Sequence, residues 1–373
     1  MNETMQELMR EATRLTQSGN LKEATQVIQR ALGNSRGVGR APMPPPSSSS
    51  TSPPIILDGC VFEVGSAEVA ESEVVPPQTT PTGANARVGY PKSHQGEFAD
   101  GTHTHATLTR RYKLYAPPGP VDKSLPLVVM LHGCTQNPDD FAAGTGMNEL
   151  AKSQGFYVLY PEQPANANPQ RCWNWFKHNH QSRGRGEAAL LASMTLAVIQ
   201  QHGIDSRRVY IAGLSAGGAM AAIVAAAYPE IFAAVGVHSG LAVGAAGNVA
   251  EALAAMKSGA TDIKLASSSS AVPTIVFHGD QDRTVHPRNG QQVIAAFEAG
   301  SEKSVEQGRS TQGQAFTRTC HRQNDVKFAE LWVLHGAGHA WSGGSAKGSY
   351  TDPSGPDASS EMLRFFSENV KPV

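Results

Sequence analysis

Arg208-Val209-Tyr210-Ile211-Ala212-Gly213-Leu214-Ser215-Ala216-Gly217-Gly218-Ala219-Met220 is the stretch on which the reading of the fold turns. Its β-branched and aromatic start reads as a buried strand, and the small residues after Ser215 read as a helix. Between them, Gly213-Leu214-Ser215-Ala216-Gly217 has the form Gly-x-Ser-x-Gly. Gly213 and Gly217 let neighbouring backbone approach where a Cβ would clash, and the tight turn strains the serine while presenting its hydroxyl at a sheet edge. A serine opening a helix can also be a plain N-cap. The reading therefore depends on partners elsewhere. Gly33-Asn34-Ser35-Arg36-Gly37 has the same spacing, but it leaves a helical run for a linker, where nothing would activate a hydroxyl.

Outward from this turn the pattern is regular. Apolar strands are predicted at 111–115, 127–131, 156–160, 209–212, 233–237, 274–277 and 331–334. Helices are predicted at 147–154, 187–201, after Ser215, at 291–297 and at 360–366. This alternation predicts an α/β fold, a mostly parallel, doubly wound sheet with helices on both faces. The domain is expected over 101–373. Residues 33–100 read as linker and irregular segment, rich in Pro, Ser and Gly at 33–54, and Ser267 to Ser270 as a connector. Residues 1–32 read as a helical hairpin, with Leu8, Ala12 and Leu15, then Leu21, Ala24, Ile28 and Leu32, at helical spacing around a break at Ser18-Gly19-Asn20. It resembles a single tetratricopeptide-type unit, which cannot bury its own face. It therefore reads as an extension packed on the domain or a neighbour, a candidate for self- or partner association.

Thirty-one basic against 32 acidic residues give a formal charge of −1, so no nucleic-acid partner is expected. The longest apolar stretch, 219–228, is about half a membrane span, and no spanning segment is expected. The first residues, Met1 to Glu7, carry acid where a signal peptide carries base, so export by the general secretory route is not expected. Four cysteines (Cys60, Cys134, Cys172, Cys320) are too few for a disulfide scaffold, and they leave three pairings open.

A serine nucleophile needs a base, and the base needs an acid to orient it. The strand at 274–277 runs into His278-Gly279-Asp280-Gln281-Asp282. Asp280 follows the glycine and serves to close the turn, so Asp282 is the expected acid. The strand at 331–334 runs into His335-Gly336-Ala337-Gly338-His339-Ala340-Trp341. His335, still at the strand end, reads as structural, and His339 on the glycine-flanked loop as the base. For an oxyanion hole, one amide is expected from Ala216 and a second from Leu131-His132-Gly133-Cys134-Thr135-Gln136. Cys134 is the expected donor, with Thr135 the alternative and His132 a support for the loop. Because that donor is backbone, Cys134→Ala is expected to cost little. Trp173, Trp175 and Trp341 are candidates for an aromatic wall against substrate. His103-Thr104-His105 and His178-Asn179-His180 read as solvated loop histidines, and no metal or cofactor is expected.

The chain resembles the polyhydroxybutyrate (PHB) depolymerase family of esterases, close to feruloyl and acetylxylan esterases, over roughly residues 110–366. The likeness rests on Leu131 to Gln136, Cys172-Trp173-Asn174-Trp175-Phe176, Gly213 to Met220 and His339-Ala340-Trp341-Ser342-Gly343-Gly344. It implies an α/β-hydrolase without a metal, an acyl-enzyme on Ser215 with Asp282 and His339, an oxyanion N–H from Cys134, and a Cys134–Cys172 bridge. Hydroxyalkanoate esters or oligomers are the implied substrates, with feruloyl or acetyl carbohydrate esters as the alternative. An inactive hydrolase fold acting as an interaction module is the remaining class. On this reading two departures from the family pattern are expected, no secretory signal sequence and no polymer-binding module after Val373. The family's extracellular setting and a cytoplasmic one are therefore both expected alternatives.

Overall fold

A computed structural model describes residues 93–94, 96–120, 124–261, 272–323 and 326–372. The expected hairpin, most of the linker, Ser35 and the 267–270 connector lie outside the described residues.

Ten strands form one sheet: β1 (Glu97–His105), β2 (Leu108–Ala116), β3 (Leu127–Leu131), β4 (Tyr157–Pro161), β5 (Val209–Leu214), β6 (Ala234–His238), β7 (Thr274–Gly279), β8 (Glu302–Arg309), β9 (Ala315–Gln323) and β10 (Val326–Leu334). Their order is β8-β9-β10-β7-β6-β5-β3-β4-β2-β1. The six central strands, β10 through β4, run parallel, and antiparallel pairs close both edges. Every residue of β3 to β7 is buried. Continuous apolar runs are what a sheet covered on both faces requires.

Alternation along each strand divides the core into two layers. Val129, Ile211, Val235 and Val276 point to one face, against α3 (Gly186–His202), α4 (Ala216–Ala227) and α5 (Val249–Ser258). Met130, Ala212, Ile275 and Phe277 point to the other, against α1 (Pro138–Thr145), α2 (Met147–Gln154) and α7 (Ala358–Glu368). A short α6 (Arg288–Ile294) follows the acid loop.

The sheet is wider than the sequence reading. His103-Thr104-His105 do not lie in a loop: they end β1, where His103 Nε2 meets Ser193 Oγ at 2.9 Å. The hairpin β8–β9 escaped prediction because Glu302-Lys303-Ser304-Val305-Glu306-Gln307 is polar but for Val305, which is itself exposed. An edge strand exposed on both faces carries no apolar alternation, and its charges discourage pairing with another sheet. Helices α1 and α5 were also missed. Asn137 and Asn248 cap them, each accepting an N–H three residues on.

Candidate active site

The parallel strands bring their carboxyl ends to one edge, where loops collect side chains. Leu131 pairs with Gly213, Leu214 with His238, and Gly279 with Leu334. The loops after β3, β5, β7 and β10 therefore start at nearly one level.

Ser215 lies at the turn from β5 into α4 with φ 57° and ψ −120°, a left-handed conformation unfavourable for a side-chain-bearing residue. Its side chain makes no capping hydrogen bond, so the plain N-cap reading does not hold. Its amide is fixed by the His238 carbonyl at 2.8 Å. The glycines have the role expected of them. A Cβ on Gly217 would lie 2.0 Å from the Leu131 carbonyl oxygen, and one on Gly213 would lie 2.4 Å from Gly217 itself.

The loop after β3 is held from several sides. Gly133 N–H donates to Gln136 Oε1 at 2.9 Å, and Gln136 Nε2 donates to Asp140 and to the Ser349 carbonyl. His132 bonds the Gly133 carbonyl through Nδ1 and accepts the Gln163 N–H on Nε2 at 3.1 Å. Burial outweighs those contacts and lowers its pKa to about 4, so the ring is neutral and structural. Thr135 N–H donates to the Gln170 carbonyl at 2.7 Å. That engagement removes Thr135 as an alternative oxyanion donor. Ala216 opens α4, so its amide has no carbonyl a turn back to bond.

Cys134 and Cys172 form a disulfide, with Cα atoms 4.2 Å apart. The bridge ties the β3 loop to the Cys172–Phe176 segment, which is anchored by a buried carboxylate. Glu187 accepts from Asn174 N–H at 2.8 Å, Asn174 Nδ2 at 2.7 Å and Gln163 Nε2 at 2.6 Å, with Arg110 3.4 Å away. Sequence reading missed Glu187. Its one available signal was an acid in the first turn of a largely apolar helix.

His339 Nδ1 lies 2.7 Å from Asp282 Oδ2. Asp282 Oδ1 accepts the Thr284 and Val285 amides, and His278 Nε2 is 3.4 Å from Oδ2. Burial alone would raise the Asp282 pKa. Hydrogen bonds from His278 and His339 reverse this and hold the carboxyl well below the usual range. Asp280 goes elsewhere. It accepts from Gly336 N–H at 2.7 Å and pairs with His335 Nδ1 at 2.9 Å, while His335 Nε2 meets Thr317.

Two of the tryptophans are core rather than wall. Trp341 is 1% exposed, stacked on His238 and edge-on to Phe141, with its N–H donated to Ser359. Trp173 is fully buried near the His132 ring. Large aromatic surface beside a sheet end is most favourably buried, and both indoles go inward. Trp175 reaches a narrow recess beside Ser215, shared with Phe176, Leu241 and Met256. His180 likewise is not a solvated loop histidine: it sits in a helical turn and accepts the Glu187 N–H.

Ser215, His339, Gly133 and Cys134 line one cavity of about 430 Å³, together with Gln281, Arg283, Thr284 and Tyr350. Tyr350, unpredicted, holds φ 52° and brings its hydroxyl to within 3.3 Å of Thr135 Oγ1. No helix among the described residues is long and apolar enough to cross a membrane.

A family model described as esterase PHB depolymerase matches residues 110–304. Poly(3-hydroxyalkanoate) depolymerase C of Paucimonas lemoignei is 31% identical over 236 residues, 60% of this chain and 56% of that protein. Feruloyl esterase B of Thermothelomyces thermophilus is 35% identical over 130 residues, 35% of this chain and 44% of that protein. Acetylxylan esterase A of Talaromyces purpureogenus is 29% identical over 184 residues, 44% of this chain and 46% of that protein. The chain thus spans about half the length of these relatives. In fold it is similar to the acetyl xylan esterase from Aspergillus awamori, with TM-score 0.53 and 21% identity, covering 69% of this chain and 94% of that one.

Proposed function

The chain belongs to the esterase PHB depolymerase family, and from that premise we propose that it hydrolyses carboxylic esters through an acyl-enzyme on Ser215. The observation that carries the reading is the 2.7 Å contact of His339 Nδ1 with Asp282, on a histidine that lines one cavity with a backbone-strained serine. Asp282 keeps the proton of His339 on Nδ1, leaving Nε2 to take the Ser215 proton as the hydroxyl attacks the carbonyl. The Ala216 and Cys134 amides stabilise the oxyanion of the tetrahedral intermediate. His339 then protonates the leaving alcohol, and water repeats the sequence on the acyl-enzyme. The same intact set argues against an inactive interaction module.

The substrates proposed are poly- or oligo(3-hydroxybutyrate)-type esters. Support comes from the poly(3-hydroxyalkanoate) depolymerase likeness, which extends over 60% of the chain where the feruloyl esterase likeness extends over 35%. The higher identity of that shorter match, 35%, favours a carbohydrate esterase as the second reading. The deciding experiment compares p-nitrophenyl butyrate turnover by wild type and Ser215→Ala, with a fluorophosphonate label located by mass spectrometry. Activity lost in the variant and label on Ser215 are expected. A folded wild type with neither turnover nor label defeats the proposal. Hydroxybutyrate oligomers and feruloyl and acetyl sugar esters, run side by side, separate the two substrate readings.

A further inference from the structure

Arg283 stands on the acid loop between Asp282, which bonds His339, and Thr284, whose amide bonds Asp282, yet its own side chain has no role in that network. It is exposed and lines the cavity with Ser215 and His339. The carboxylates nearest in sequence are engaged elsewhere, Asp280 with His335 and Asp282 with His339. No acidic side chain is among the described residues lining the cavity, and none of them pairs with the guanidinium. An arginine facing a reaction cavity with no internal counter-ion is built to receive an anion, and its planar fork matches a carboxylate in two-point contact.

Position decides which part of the substrate carries that anion. His339 must reach the ester oxygen to protonate the leaving alcohol, so the alcohol portion lies along the wall made by Gln281, Arg283, Gly338 and His339. The carbonyl oxygen turns to the loop after β3, where Gly133 and Cys134 lie, because β3 flanks β5 on the side away from β7 and β10. Resting on the esterase reading above, we infer that Arg283 binds a carboxylate on the leaving alcohol. The favoured substrates are thus short esters whose alcohol half is itself a hydroxy acid with a free carboxyl end. On a chain of hydroxy acid units this favours cleavage next to the carboxyl terminus over cleavage in a neutral interior.

The test uses the linear dimer of 3-hydroxybutyrate as its free acid and as its terminal primary amide, which has the same shape and no charge. Loss of each dimer is followed by chromatography with the full chain. The acid should exceed the amide in kcat/KM by about tenfold or more, the range of a hydrogen bond to a charged partner. That advantage should shrink in about 0.5 M NaCl, because the contact is open to solvent. Arg283→Gln should collapse the ratio, and Arg283→Lys should leave it intermediate, retaining charge without the fork. An acid no faster than the amide in wild type, or a ratio unmoved in Arg283→Gln, overturns the inference. The wild-type ratio and its salt dependence stand even where a variant folds poorly. Fluorophosphonate labelling of Ser215 with neither dimer cleaved also overturns it but leaves the esterase reading standing. Absence of both labelling and cleavage brings down that reading and this inference with it.

Discussion

His132 and His238 are both buried, and each accepts a backbone N–H on Nε2, from Gln163 at 3.1 Å and from Ser342 at 2.9 Å. Protonation would turn each acceptor into a donor facing another donor, in a buried site. Burial lowers the His132 pKa to about 4; burial, with repulsion from His278 and His339, lowers that of His238 to about 3. An unfolded chain protonates both near pH 6.5. Below that value the unfolded state binds more protons than the native one, so stability falls as pH falls toward the folded values. Each histidine contributes about 1.4 kcal/mol per pH unit, so going from pH 6.5 to 4.5 removes roughly 5 kcal/mol, a large share of an ordinary domain's stability. Asp282 adds its own loss only below its unfolded pKa near 4, outside that window. His103, His180 and His321 are also lowered, burial first in each case, so the wild-type slope alone assigns nothing. His238→Gln assigns it. Glutamine can still accept from Ser342 but cannot take the proton, and it loses the stacking on Trp341 and Phe277. It should be about 1–2 kcal/mol less stable at pH 7, and a shift of roughly 3 kcal/mol in its favour by pH 4.5 should leave it the more stable of the two proteins. Urea unfolding followed by fluorescence at several pH values measures both terms. Parallel stability curves for the two proteins would falsify the argument.

Asp282→Asn should lower kcat by about 10³–10⁴-fold by loosening control of the His339 tautomer, and a loss under tenfold in steady-state assays would remove its orienting role. The Cys134–Cys172 bridge spans 38 residues, so its reduction should cost about 4 kcal/mol by chain entropy; equal urea midpoints with and without reductant would contradict this. Cys134→Ala therefore costs more than a backbone donor alone implies, since it also opens the bridge. Gln136→Leu leaves the Gly133 N–H without its acceptor and should cost about 1–3 kcal/mol with a fall in kcat. Unchanged stability and kcat in that variant would mean another group satisfies Gly133.

The parallel core was legible because its strands are continuous apolar runs. Val128, Val129, Met130 and Leu131 need no partner to be read as buried. The tight turn at Ser215 was legible because its glycines answer to backbone crowding that the local sequence must solve. The outer strands were not, since β1 and β8 owe their conformation to pairing and carry no apolar periodicity. Tryptophan placement failed for a related reason. Proximity to a functional loop in sequence says nothing of which side of the backbone an indole takes, and Trp341 turns into the core beneath His238. Glu187, Tyr350 and His238 act through contacts distant in sequence, and no local spacing announces them.

Choosing between two aspartates and two histidines shows where sequence order stops being informative. Because β7 and β10 are parallel neighbours with Gly279 opposite Leu334, the loops after them run side by side. Each Asp of one then meets a His of the other. Asp280 with His335 and Asp282 with His339 are separated by 55 and 57 positions respectively. Depth separates them. The Asp280 and His335 side chains are 33% and 42% exposed, and His335 ends on Thr317, away from Ser215. Water weakens that pair, and its chief effect is to fasten one loop to the other. Asp282 is sealed, with its oxygens filled by two amides and two rings. An ionised carboxylate there is held by two amides and by His339 and His278, which on the proposed mechanism suits it to steady a histidine that becomes cationic during reaction. Asp280→Ala and Asp282→Ala should therefore differ in kind. The first should loosen the loop pair with a modest fall in kcat, and the second should remove most of kcat at nearly unchanged KM.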